Sequence, residues 1–66
     1  MKKFTIGETT YIFIESEGRI IVIYNDKNNN KVIEYTVNSI VSMPETEEKA
    51  SKILGLDIWY PIDNII

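Results

Sequence analysis

Three runs of β-branched and aromatic residues dominate the first half of the chain: YIFIE (residues 11–15), RIIVIYN (19–25) and KVIEYTV (31–37). Turn chemistry separates them, SEGR after the first run and DKNNN after the second. Apolar runs bounded by Gly, Asn and Asp read as strands of an antiparallel sheet. A two-residue turn at Glu17-Gly18 sets Ile14 opposite Ile21, Phe13 opposite Val22, Ile12 opposite Ile23 and Tyr11 opposite Tyr24. Upstream, residues 4–6 predict a short edge strand that enters a turn at Gly7-Glu8, and Ile40 to Ser42 predict a continuation of the last strand. The pattern then changes period. Ser42-Met43-Pro44-Glu45 fits a capping box and predicts a helix over residues 44–54. Glu45, Glu47 and Glu48 lie at its positive end and Lys49 and Lys52 toward its negative end. Gly55 is expected as a left-handed stop, with Leu56 folding back on Ala50.

Side chains alternate between the two faces of a strand, which gives this sheet two apolar faces. One carries Ile12, Ile14, Ile21 and Ile23, joined by Ile33, Tyr35 and Val37 when Ile23 opposes Ile33. The other carries Tyr11, Phe13, Ile20, Val22 and Tyr24, diluted by Glu15, Glu34 and Thr36. A single helix with the narrow stripe Ala50, Ile53 and Leu54 covers only one of them. The expectation is that the helix takes the aliphatic face and that Ile58 and Trp59, from the apolar tail, close the core. A partner surface would then comprise Tyr11, Phe13, Val22 and Tyr24, with Tyr60 from the tail. The predicted fold is therefore α+β: an antiparallel sheet of three to five strands, one helix and a packed apolar tail, in a single domain over residues 1–66.

Composition narrows the chemistry. A chain of 66 residues buries only about 60% of its unfolded surface, and small domains often add disulfides or a metal. The absence of cysteine and histidine removes both routes in their usual form, along with cysteine nucleophiles and histidine bases. Thirteen isoleucines offer dense packing instead. The carboxylates cluster as Glu15/Glu17, Glu45/Glu47/Glu48 and Asp57/Asp63, which read as solvated charges because so small a domain leaves little room for a catalytic cleft. The DKNNN loop lacks the glycine and closing glutamate of a calcium loop. No catalytic, cofactor or metal residue is assigned.

The balance of 7 basic to 10 acidic residues, net −3, lacks the clustered basic face of a nucleic-acid binder. MKKF is not followed by the ~7–15 apolar residues of a signal peptide, and no run approaches the ~18 of a membrane span, so the expected location is cytoplasmic. Short strands before a helix, with Gly7-Glu8-Thr9, resemble the carbon storage regulator family of RNA-binding dimers. The basic recognition residues of that family have no counterpart here. The functional expectation is a non-catalytic protein–protein interaction module, of the inhibitor, anti-defence or immunity type found in phages and mobile elements. Richness in Ile, Asn, Lys and Tyr with a single Arg fits an AT-rich coding genome, that of a phage or an AT-rich bacterium. The alternative is a homodimeric nucleic-acid-associated regulator that uses the aromatic sheet face.

Overall fold

The computed structural model describes residues 1–36 and 42–62. Five strands and one helix follow in the order β1 (Lys2–Ile6), β2 (Thr9–Ser16), β3 (Arg19–Asn25), β4 (Lys31–Thr36), α1 (Glu47–Leu54) and β5 (Tyr60–Pro61). The strands form one antiparallel sheet in sequence order, β1-β2-β3-β4-β5, so the α+β prediction holds. The expected extension of β4 beyond Asn38-Ser39 and the last tail residues, 63–66, lie outside the described residues.

The turns fix the register. Gly7 takes φ +64° at the first position of the β1–β2 turn, where a type II′ hairpin needs glycine. Glu17 and Gly18 both have positive φ, +53° and +77°, the signature of the type I′ turn that matches strand twist. The Asp26 carboxylate organises the third turn, since its Oδ1 accepts the amides of Asn28 at 2.9 Å and Asn30 at 2.8 Å. Asn29 adopts φ +64° there and donates its amide to the Asp26 carbonyl at 2.9 Å. Asn tolerates that left-handed conformation better than most side chains. The resulting pairs include Phe13 with Val22, Ile14 with Ile21, Ile12 with Ile23, and Ile23 with Ile33.

The core lies on the aromatic face. Phe13 and Val22 are 0% exposed, and Ile20 and Thr36 are buried beside them. The helix contributes Ala50, its one buried residue, with Ile53 and Leu54 packed against the cluster. This reverses the expected placement of the helix on the aliphatic face. The reason is the phase of β1: the two-residue turn places Phe4 across from Tyr11 and Ile6 across from Thr9. Phe4 and Ile6 therefore enlarge the aromatic face, while Lys3 and Thr5 fall on the other. A thin helix offering a small alanine needs long side chains opposite it to fill the layer. Phe13 fills it, with edge-on contacts to Phe4 at 5.7 Å and Trp59 at 6.5 Å between ring centroids.

The helix ends also differ from expectation. Its N-cap is Thr46, extended at φ −134°, ψ 161°, whose Oγ1 accepts the Lys49 amide at 3.2 Å. Pro44 is buried ahead of the helix, and Ser42 and Glu45 precede it, so no capping box forms at Ser42. Gly55 is right-handed, φ −84°, ψ −4°, and its amide reaches Lys52 O at 3.2 Å in a tightened last turn. Leu56 is 47% exposed, so it is not part of a folded-back stop. The Ile53 carbonyl accepts the Leu56 amide at 3.2 Å and, from farther along, the Trp59 indole N–H at 2.9 Å. Those bonds occupy one of the carbonyls a helix end leaves without an intrahelical partner. Trp59 thus closes the core as expected, and Tyr60–Pro61 then pairs along β4 as a new edge.

Candidate functional site

The predicted contact residues do not form one patch. Phe13 and Val22 are sealed in the core, which removes them as a partner surface and takes the centre out of a base-stacking platform. Tyr11 and Tyr24 are half-buried beside them, with ring centroids 4.8 Å apart. The Tyr24 hydroxyl donates to Glu34 Oε1 at 3.2 Å. Burial, and then the charge and hydrogen bond of Glu34, raise the pKa of the Tyr24 phenol. These two tyrosines edge the core layer. Tyr60 is 50% exposed and pairs with Tyr35 on the opposite face, the rings 5.7 Å apart.

That opposite face holds a further apolar arrangement outside the core, among the described residues. Pairing across the strands builds two rows. In one, Ile14 opposes Ile21, Ile21 opposes Tyr35, and Tyr35 opposes Tyr60. In the other, Lys3 opposes Ile12, Ile12 opposes Ile23, and Ile23 opposes Ile33. Cross-strand neighbours of this kind stand about 4.5–5.5 Å apart, so each row is continuous. All five isoleucines and Tyr35 are half-buried, whereas every fully buried strand residue lies on the helix side. Among the described residues, no element lies over these rows.

Polar residues bound the rows at both ends. Arg19 and Ser16 pair at one end, and the Arg19 guanidinium carbon stands 5.7 Å from the Tyr35 ring centroid. At the other end, Thr5 and Thr10 share a hydroxyl contact at 3.2 Å and Asn25 pairs with Lys31. The charged strand residues on this face are Lys3, Arg19 and Lys31, all cationic. Glu15 and Glu34 are in phase with Phe13 and Val22 on the helix side.

Two recesses lie elsewhere. One, about 590 Å³, sits where the β1–β2 turn meets the β3–β4 loop and is lined by Glu8, Thr10, Asn25, Asp26 and Lys27 among others. The Asp26 carboxylate there is already engaged by loop amides. The other, about 550 Å³, lies beside the helix between Met43, Pro44, Lys49 and Ile53. Among the described residues, no group of His, Cys, Asp or Glu is placed to hold a metal ion, and no helix is long and apolar enough to cross a membrane.

No protein-family model, curated protein or solved structure matches this chain. The likeness of Gly7-Glu8-Thr9 to an RNA-binding family therefore extends no further than those residues and the strand–helix order.

Proposed function

We propose that this protein is a non-catalytic protein–protein interaction module and that its contact surface is the isoleucine face of the sheet. A single observation carries this reading. Two continuous apolar rows, Ile14–Ile21–Tyr35–Tyr60 and Ile12–Ile23–Ile33, lie on a face that no described element covers. Antiparallel sheets with one solvated face ordinarily carry polar residues there. The largest contiguous apolar patch on a soluble monomer, typically a few hundred Å², is often functional. Tyr60, at the margin of the rows, supplies a side chain type enriched at interface hot spots. An inhibitor, anti-defence or immunity role in the cytoplasm is the form this takes when occupancy of the partner blocks its activity.

The test separates binding from folding. Ile23→Lys places a charge in the middle of the rows. In this reading the variant retains its circular-dichroism spectrum and loses capture of the wild-type partner. Unchanged capture by a folded Ile23→Lys protein refutes the proposal.

A further inference from the structure

We infer that the isoleucine face receives a protein surface that is apolar at its centre and edged with carboxylates, and that it does not receive a second copy of this chain. The inference rests on the proposed interaction role and adds the chemistry of the partner. Its basis is the segregation of charge. The chain as a whole is net −3, yet the charged strand positions of this face are Lys3, Arg19 and Lys31. Glu8, Glu17 and Asp26 sit in turns beyond the strand ends, Glu15 and Glu34 point with the core, Glu45, Glu47 and Glu48 lie at or before the start of α1, Asp57 follows that helix, and Asp63 lies outside the described residues. Among the described residues, the charged strand positions that border this apolar face are therefore all cationic.

The geometry of those cations fits an interface rim. Strand spacing and rise give the apolar rows an area on the order of 300 Å², less than the ~800 Å² per partner of a standard interface. The rest of such an interface must come from the margin, where Lys3, Arg19 and Lys31 stand exposed on different sides. An apolar centre with a charged margin is ordinary interface anatomy, and charge across the margin selects the partner. Three separated cations then call for carboxylates opposite them.

The same charges argue against other occupants. A twofold dimer on this face sets the patch against itself. Its cations meet a surface whose strand positions offer no carboxylate to pair with them. Nucleic acid requires a phosphate-tracking basic groove or a stacking platform, and the centre here is isoleucine, which supplies neither. An anionic bilayer recruits through clusters of roughly 4–8 basic residues beside side chains that insert, whereas these isoleucines lie half-buried in a sheet.

The test is zero-length carbodiimide coupling, which joins lysine amines to carboxylates in contact. Tagged full-length protein is incubated with lysate of its native host, coupled, and the joined peptides are identified by mass spectrometry. Three variants run in parallel: Ile23→Lys, Ile14→Lys, and the triple reversal Lys3→Glu/Arg19→Glu/Lys31→Glu, whose sites are all exposed. The expected result is Lys3 or Lys31 joined to Asp or Glu of one protein, with capture reduced about tenfold or more in the triple reversal. Capture abolished by the isoleucine variants but indifferent to charge reversal overturns the carboxylate rim and leaves the interaction role standing. Capture indifferent to folded isoleucine variants, or unfolding of both, overturns the interaction role itself. Two further results overturn the choice of occupant. One is Lys3 or Lys31 joined to this chain's own carboxylates with a doubled mass. The other is binding to phosphatidylserine vesicles or single-stranded RNA that is sensitive to the triple reversal.

Discussion

At the scale of the residue, three positions depart from what their chemistry favours. Glu17 has a side chain at φ +53°, a left-handed conformation that costs a non-glycine residue roughly 1–2 kcal/mol. Glu17→Asn, which suits the first position of a type I′ turn, is expected to raise the melting temperature by several degrees, read by circular dichroism. Thr36 is fully buried and its Oγ1 has no hydrogen-bond partner among the described residues. Thr36→Val keeps the shape and removes an unpaired hydroxyl, so a gain of about 1 kcal/mol is expected in urea unfolding. Tyr24 contributes a pH dependence at alkaline pH. Its folded pKa lies above the unfolded value of about 10. The unfolded phenol therefore ionises first, and stability falls as pH rises from 10 through the folded pKa. Tyr24→Phe is expected to flatten that alkaline loss, and an unchanged slope of unfolding free energy above pH 10 counts against this assignment.

The element scale separates what was legible in the chain from what was not. Hairpin register was legible because Glu17-Gly18 and the Asn-rich loop admit few turn geometries, and Ile12–Ile23–Ile33 aligned as anticipated. Helix existence was legible and its start was not. Ser42 has a glutamate three residues on and Thr46 has Lys49, so the capping-box pattern favours Ser42 while the structure caps at Thr46. Gly55 misled in a different way, since glycine permits a left-handed stop without requiring one. A Cβ at Gly55 meets nothing closer than the Lys52 carbonyl at 3.6 Å, and its φ is already negative. Gly55→Ala is thus expected to stabilise the protein by ~0.4–1 kcal/mol, where a left-handed stop would have made it destabilising. Trp59 gives the opposite sign. Trp59→Phe retains a ring against Phe13 and removes one of two hydrogen bonds to the Ile53 carbonyl, the other coming from the Leu56 amide, for a loss of about 0.5–1 kcal/mol, while Trp59→Ala costs ~3–5 kcal/mol. An unchanged stability in Trp59→Phe would show that the indole N–H contributes nothing.

Across the whole molecule, the decision that mattered for function was which face the helix covers. Tyr11, Phe13 and Tyr24 looked like surface because aromatic residues serve both cores and interfaces. The discriminating signal was the short N-terminal strand. Once Gly7-Glu8 is a two-residue turn, KFTI adds Phe4 and Ile6 to one face and Lys3 and Thr5 to the other. The face with more apolar reach then becomes core, and the isoleucine face keeps its polar margin. Removal of residues 57–66 accordingly takes away Trp59 and β5 together. The truncated chain is expected to lose its cooperative thermal transition, measurable by circular dichroism, and so makes a poor control for a binding tail.

The placement of β5 also orders events in time. β1 through β4 are joined by short turns and pair only with their sequence neighbours, the local wiring that folds fast. Tyr60–Pro61 must instead wait for the helix to cross the layer before it reaches β4. During folding, the meander forms with the outer edge of β4 bare until α1 and β5 have docked. Such an edge invites pairing with other chains. Partly folded copies of this protein are therefore most vulnerable to one another in the interval before β5 reaches that edge.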